Sequence, residues 1–411
     1  MKSLRYIFLA FLFGAMGTAN AQKSSLKPSK DAMKGLEMIR ANQSKYNNWL
    51  VDIGGIISPS GQEQERAMRV NEYMKQIGLQ SVITDEQPNT IGILPGETDS
   101  VIVMVSTLDD LAGVAENQRA IGKPPYVDGS RVIGPGTNTS STTVGILAAA
   151  EGLISSGIKP YYTIVFASVA QEETGLVGMK KVFEQYKDKA VLFVDVLGDG
   201  HRISYGALGI HWWKVTAMGP TGHTLRSGWP GQPHVNQAIG RAVDRILSLR
   251  QPVRYDSLNT RLNVGMIHSG NVYNHKPSEG YFTLDIRSLD NDVIKEMEAA
   301  VQDVLKSVTT ETEVEFELEP FQIMDGGQLS GFVNSWKVQK SLDISRYLGY
   351  EPGTSNAGSS NMNVALSQGY PAIGLGGNRG ENRGKMFEFA DSDAMINSAC
   401  YVFLLAQVKR P

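Results

Sequence analysis

The stretch FASVAQEETG, residues 166–175, carries an apolar run straight into two adjacent carboxylates, Glu172 and Glu173. Two like charges at the end of such a run disfavour each other's ionisation unless something positive or reactive sits beside them. The pattern recurs nearby. VSTLDD ends an apolar run at Asp109, VDVLGDG sets Asp195 at the end of another, and a GPGTNTSSTT turn lies between them in the chain. A lone acid after a strand is commonly a helix cap or a turn former. Acids after successive strands of one parallel sheet instead converge where such sheets bind ligands, outside the carboxyl ends of their strands.

Convergence depends on the elements that carry these residues. From Ser29 to about Ile57 the apolar spacing predicts helix, and SPSGQEQERAMRVNEYMKQIGL opens a second helix with Ser60-Gly61-Gln62-Glu63 at capping-box spacing. Three β-rich runs follow, VIVMVS (101–106), TIVFASV (163–169) and VLFVDV (191–196), with the helical VGILAAAEGLISSG (144–157) among them. Continuous apolar strands alternating with helices predict an α/β fold with a mostly parallel sheet covered on both faces. Near Gly209 the pattern changes to β-α-β-β-α-β, with Val314, Phe316 and Leu318 alternating against glutamates as in a one-faced sheet. After Pro320 a helix, the strand YPAIGLGG and a final helix return to the first domain. The expected layout is one domain over residues 28–207 and 319–411, interrupted by an insert over 208–318.

MKSLRYIFLAFLFGAMGTANAQ places Lys2 and Arg5 ahead of an apolar core and closes it with Ala19-Asn20-Ala21, the grammar of a secretory signal peptide over residues 1–21. That core is short for a membrane span, and no second run of about 18 apolar residues follows. The expectation is an exported, periplasmic protein with no membrane span once the signal is removed. Cys400 is the only cysteine, so there is no intrachain disulfide. With 39 Lys and Arg against 42 Asp and Glu, a net charge of -3 and no basic block, the chain lacks the electrostatic footprint of a nucleic-acid binder.

In this order and spacing, SPSGQE, LDD, GPG, the EE pair, VD, GPTGHT, NHKP, LDIRS, GSSNMN and GYPAIGLGG resemble the zinc-dependent aminoacylase and carboxypeptidase family, of the acetylornithine deacetylase, succinyl-diaminopimelate desuccinylase and carboxypeptidase G type. The likeness runs over essentially the whole chain after the leader. It implies a metallopeptidase-like domain interrupted by a lid and dimerisation domain, and two zinc ions held by five side chains. On that pattern Glu172 stands at the general base, Glu173 and Asp195 at metal ligands, and Asp109 at the carboxylate that orients a histidine ligand. In the lid, His223 matches a histidine that polarises the scissile carbonyl and, in dimeric members, reaches over from the partner subunit. Asn274 and Arg287 match positions that grip the substrate, Arg287 with a fork of donors suited to a carboxylate. The resemblance leaves a homodimer through the lid open.

Three of the five ligand positions depart from the family. Thr107 replaces the histidine of His-x-Asp, Thr139 replaces the bridging aspartate, and Gly384 stands where a histidine precedes a glutamate, here Glu388, by four residues. Ser359-Ser360-Asn361 likewise replaces a Ser-Thr-Asp stretch. Zinc takes thiolate, imidazole or carboxylate, which a threonine hydroxyl or a glycine does not supply. The six histidines, His201, His211, His223, His234, His268 and His275, all follow Asp195 and offer no obvious replacement set. The expectation is a metal-free pseudoenzyme, without cofactor, that binds a carboxylate-bearing peptide or acyl-amino acid. Two alternatives remain. One is a working peptidase or amidohydrolase, either with a metal held unconventionally by Asp109, Glu172, Glu173 and Asp195 or using the surviving acids alone. The other is a structural or partner-binding role for the lid surface.

Overall fold

The structure, a computed structural model, describes residues 24–226, 232–249 and 254–410. The expected signal segment, residues 1–21, lies outside them. Among the described residues no helix is long and apolar enough to cross a membrane.

An eight-stranded sheet forms the larger unit, in the order Gln80–Thr84, Thr90–Leu94, Tyr162–Val169, Thr98–Thr107, Ala190–Val196, Ala372–Gly376, Arg202–Ser204, Gly353–Ser355. Its four middle strands are parallel, as the continuous apolar runs predict. Both faces are covered, and the pleat of one strand shows how. Ile102 and Met104 of Thr98–Thr107 enter a core shared with the helices Gln43–Gly55, Thr137–Ser155 and Ser392–Leu405. Val101, Val103 and Val105 point the other way, into a core with Val177–Tyr186 and Met362–Ser367. Thr137–Ser155 is buried along nearly its whole length, which explains its small residues and lack of a polar stripe.

The insert is a four-stranded antiparallel sheet, in the order Arg261–Ser269, Glu279–Ser288, Gly209–Met218, Glu315–Met324. Alternation along Glu279–Ser288 buries Phe282, Leu284 and Ile286. Phe282 and Leu284 meet the helices Val235–Leu247 and Asn291–Thr312.

Two local expectations need correction. The last lid strand, expected as VEFELEPF (314–321), continues to Met324, which still pairs with Ile210, beyond the expected domain boundary at 318. Pro320 is tolerated because it lies at a register irregularity on an edge strand, where no ladder hydrogen bond is forfeited. The two chain crossings between the units then run side by side, with Ala207 N donating to Gly327 O at 2.9 Å and Gly327 N to Ala207 O at 3.1 Å. The proposed capping box is also absent. The helix starts at Gln64 without a side-chain cap, Ser60 gives its hydroxyl to Asp109, and Glu63 accepts from Gly61 N and Gln171 N. A box-like spacing was thus used for bonds between loops.

Candidate functional site

The four parallel strands end side by side: the loops that leave three of them carry Asp109, Glu172 with Glu173, and a pair of arginines, Arg379 and Arg383, and Asp195 is the last residue but one of the strand Ala190–Val196. The GPG turn reaches the same place differently. Gly136 sits at the N-cap of Thr137–Ser155 with φ 91°, and a Cβ there would lie 2.5 Å from Gly54 O, so only glycine lets this helix start against the neighbouring chain.

Asp109 is fully buried. Its Oδ1 accepts from Glu172 N at 2.8 Å, and its Oδ2 from Glu173 N at 3.0 Å and from the Ser60 hydroxyl at 2.6 Å. Both oxygens are therefore occupied in fixing the Glu172–Glu173 turn. Burial pushes the Asp109 carboxyl up to about 6, with the three hydrogen bonds working against that rise. Glu172 is held well above the usual carboxylate range, first by burial and then by repulsion from Glu173, Asp109 and Asp195, with Arg383 opposing.

Glu173 is ion-paired with Arg383, whose Nε also donates to Thr139 Oγ1 at 3.2 Å. The guanidinium thus joins two of the five positions that the resemblance assigns to metal ligands. A second cross-link joins two more. Asn361 Nδ2 donates to Thr107 Oγ1 and to Asp195 Oδ1, each at 3.3 Å. Burial raises the Asp195 carboxyl to about 6, and its Oδ2 has no hydrogen-bond partner among the described residues. At the fifth position Gly384 has φ 80°, where a histidine would be strained. Its N–H donates to Glu388 Oε2 at 2.9 Å, and Glu388 Oε1 accepts from Gly136 N and Asn138 N. Glu388 thereby ties the arginine-bearing loop to the start of the buried helix.

The donor set does not fit a two-zinc centre. Two ligand positions offer neutral hydroxyls, one offers no side chain, and a guanidinium is bonded to one of the two surviving carboxylates. Among the described residues no three His, Cys, Asp or Glu side chains are grouped to hold a metal ion.

A cavity of about 390 Å³ lies between the strand ends and the lid. Glu172, Glu173, Arg379 and Arg383 line it from the sheet, and Trp212 and Arg287 from the lid. Arg287 donates Nε and Nη2 to Asp285 at 2.9 and 3.0 Å. His223 and Asn274 do not line this cavity. They bond to each other at 3.2 Å on an exposed part of the lid, so one chain does not bring His223, Asn274 and Arg287 to a single ligand. His201 pairs with Asp199, and His234 caps Val235–Leu247.

Sequence reasoning missed Arg379 and Arg383. They stand four apart in GLGGNRGENRG, just after the fourth parallel strand. Searching that strand end for cations as well as acids would have found them.

With this geometry in view, comparison with known proteins is specific. Residues 205–313 match the peptidase dimerisation domain, and residues 89–223 match peptidase family M28. A [LysW]-lysine/[LysW]-ornithine hydrolase of Sulfurisphaera tokodaii is 22% identical over 326 residues, covering 79% of this chain and 84% of the relative. Among solved structures, aminopeptidase PepT from Bacillus cereus superposes with a TM-score of 0.71 at 19% identity, over 89% of this chain and 98% of that one. The YXEP protein of Bacillus subtilis, described as a dinuclear metal binding peptidase from the M20 family, gives a TM-score of 0.62 at 14% identity, again over 89% and 98%. The fold is that of these peptidases, and the two matched domains, each covering about a quarter to a third of the chain, make it similar to the metallopeptidase and aminoacylase family.

Proposed function

We propose that this chain is an exported, metal-independent relative of the family's hydrolases, a pseudoenzyme that binds a carboxylate-bearing peptide or acyl-amino acid between sheet and lid. The observation that carries this reading is the Arg383 guanidinium, bonded to Glu173 and Thr139 at once. A guanidinium supplies positive charge and a fixed fork of donors. It does not act as a Lewis acid on a carbonyl, nor does it generate hydroxide from water at neutral pH, the two services a zinc pair provides in amide hydrolysis. What such a centre retains is recognition. The matched dimerisation domain supports pairing through the lid, which would present His223 and Asn274 to a partner subunit.

One observation favours the second reading, an active hydrolase with an unconventional metal. Asp195 Oδ2 is buried without a hydrogen-bond partner among the described residues, an arrangement that a cation would relieve.

The test is a thermal-shift and calorimetric screen of dipeptides and N-acyl amino acids with and without a chelator. A ligand at a hundredfold excess over its dissociation constant should stabilise the native state by about 2.7 kcal/mol, equally in both conditions. Hydrolysis of any of these compounds that a chelator stops and added zinc restores would overturn the proposal in favour of the second reading.

A further inference from the structure

Three guanidiniums, those of Arg287, Arg379 and Arg383, line one cavity. Two are already matched: Arg383 by Glu173, and Arg287 by Asp285. Arg379 has no carboxylate within ion-pair distance among the described residues. Its backbone is nevertheless fixed. Asp391 N donates to Arg379 O at 3.1 Å, and its neighbour Asn378 is held by Asp199 N donating to Asn378 O at 3.0 Å and by Asn378 Nδ2 donating to Asp391 Oδ2 at 3.1 Å. Glu172, Glu173 and Glu388 act on it only from beyond ion-pair distance, and a preorganised cation with no direct ion-pair partner, facing a cavity, can receive an anion.

Resting on the reading of the cavity as a carboxylate-ligand site, we infer that Arg379, and not Arg287 of the lid, receives the ligand's carboxylate. The ligand then lies with its charged end toward the strand ends and its apolar body against Ile210, Trp212 and Met324 of the lid. Burial and the adjacent Arg383 charge disfavour the charged form of Arg379 while Glu172, Glu173 and Glu388 favour it, and a carboxylate in direct contact adds a charge-assisted bond that the more distant acids do not supply. Arg287, with two of its nitrogens on Asp285, has less to offer. This polarity differs from the expectation drawn from sequence, in which Arg287 grips the carboxylate. It makes the loop that replaces the family's last metal ligand the element that selects the ligand.

The experiment uses the full chain with N-benzoylglycine as probe and its primary amide as the uncharged control, by titration calorimetry in chelator. The expected result is that the acid binds, that the amide binds more weakly, and that Arg379→Gln weakens the acid by about 10- to 100-fold while leaving the amide unchanged. Arg379→Lys should recover part of the loss, because it restores the charge without the fork. Arg287→Ala should weaken the acid and the amide by similar factors. Unliganded melting of each variant reports whether it is folded. Should Arg287→Ala abolish the preference for the acid while Arg379→Gln and Arg379→Lys retain it, the assignment to Arg379 is wrong and the carboxylate-binding reading stands. If the parent chain shows no preference for the acid over the amide, the carboxylate-binding reading fails and the inference fails with it.

Discussion

Asp110→Ala is expected to destabilise the protein by about 3–5 kcal/mol, although Asp110 touches no ligand. Its carboxylate lies 2.8 Å from Arg66 Nη2, with the two side chains 0% and 1% exposed. Arg66 also donates to the carbonyls of Leu108 and Ile56, and Asp110 N donates to Ser58 O at 2.8 Å. One buried ion pair therefore clamps the loop after Thr98–Thr107, which holds Asp109, onto the start of the helix Gln64–Ile77. Removing the acid leaves a guanidinium uncompensated in the interior, which costs far more than the intact pair contributes. Arg66→Met combined with Asp110→Leu should cost much less than either single change would suggest, since the pair is then replaced by apolar volume. Urea midpoints of the four proteins check this, and strict additivity of the two single losses would contradict it.

The second large effect has the opposite sign. Asp195→Asn is expected to stabilise the unliganded protein near pH 7.5 and to change little near pH 4. The Asp195 carboxyl is raised from 3.8 to about 6 in the folded state, mainly by burial. A raised acid binds its proton more tightly when folded, so its favourable contribution is full below about pH 4 and is lost as pH rises through about 6. That loss corresponds to about 3 kcal/mol at neutral pH, and asparagine, which cannot ionise, escapes it. Melting temperatures of parent and variant across pH 4–8 give the readout. A variant less stable than the parent at pH 7.5 would mean that cationic charge at the site, the Arg379 guanidinium that already opposes the rise or a bound metal, favours the native carboxylate by more than burial disfavours it.

Much of the fold was legible because its signals are local and periodic. The uninterrupted run VIVMVS reads as a strand covered on both faces, and Ile102 and Val103 do enter opposite cores. The β-α-β-β-α-β order of the lid was legible for the same reason. Its true end was not, since Pro320 looks like a stop in sequence, whereas an edge strand with a register irregularity accommodates it. At the site, the acids were visible because they follow strands. What they do was less visible, because hydrogen bonds between distant loops decide it. Asp109 is saturated by the Glu172 and Glu173 amides and by Ser60, which lies 49 residues away in the chain. Arg383 reaches Glu173 across 210 residues. No local pattern announces such pairings, and they turn the emptied ligand positions into an internally bonded centre.

The most direct test of that centre is the metal content of protein purified without chelators and then equilibrated with zinc. The Arg383–Glu173 pair, with Thr107, Thr139 and Gly384 at the lost ligand positions, predicts well under one zinc, cobalt or manganese per chain by elemental analysis, unchanged by Glu173→Ala. Near-stoichiometric metal that disappears on Glu173→Ala would show that Glu173 holds a metal, and would contradict the account.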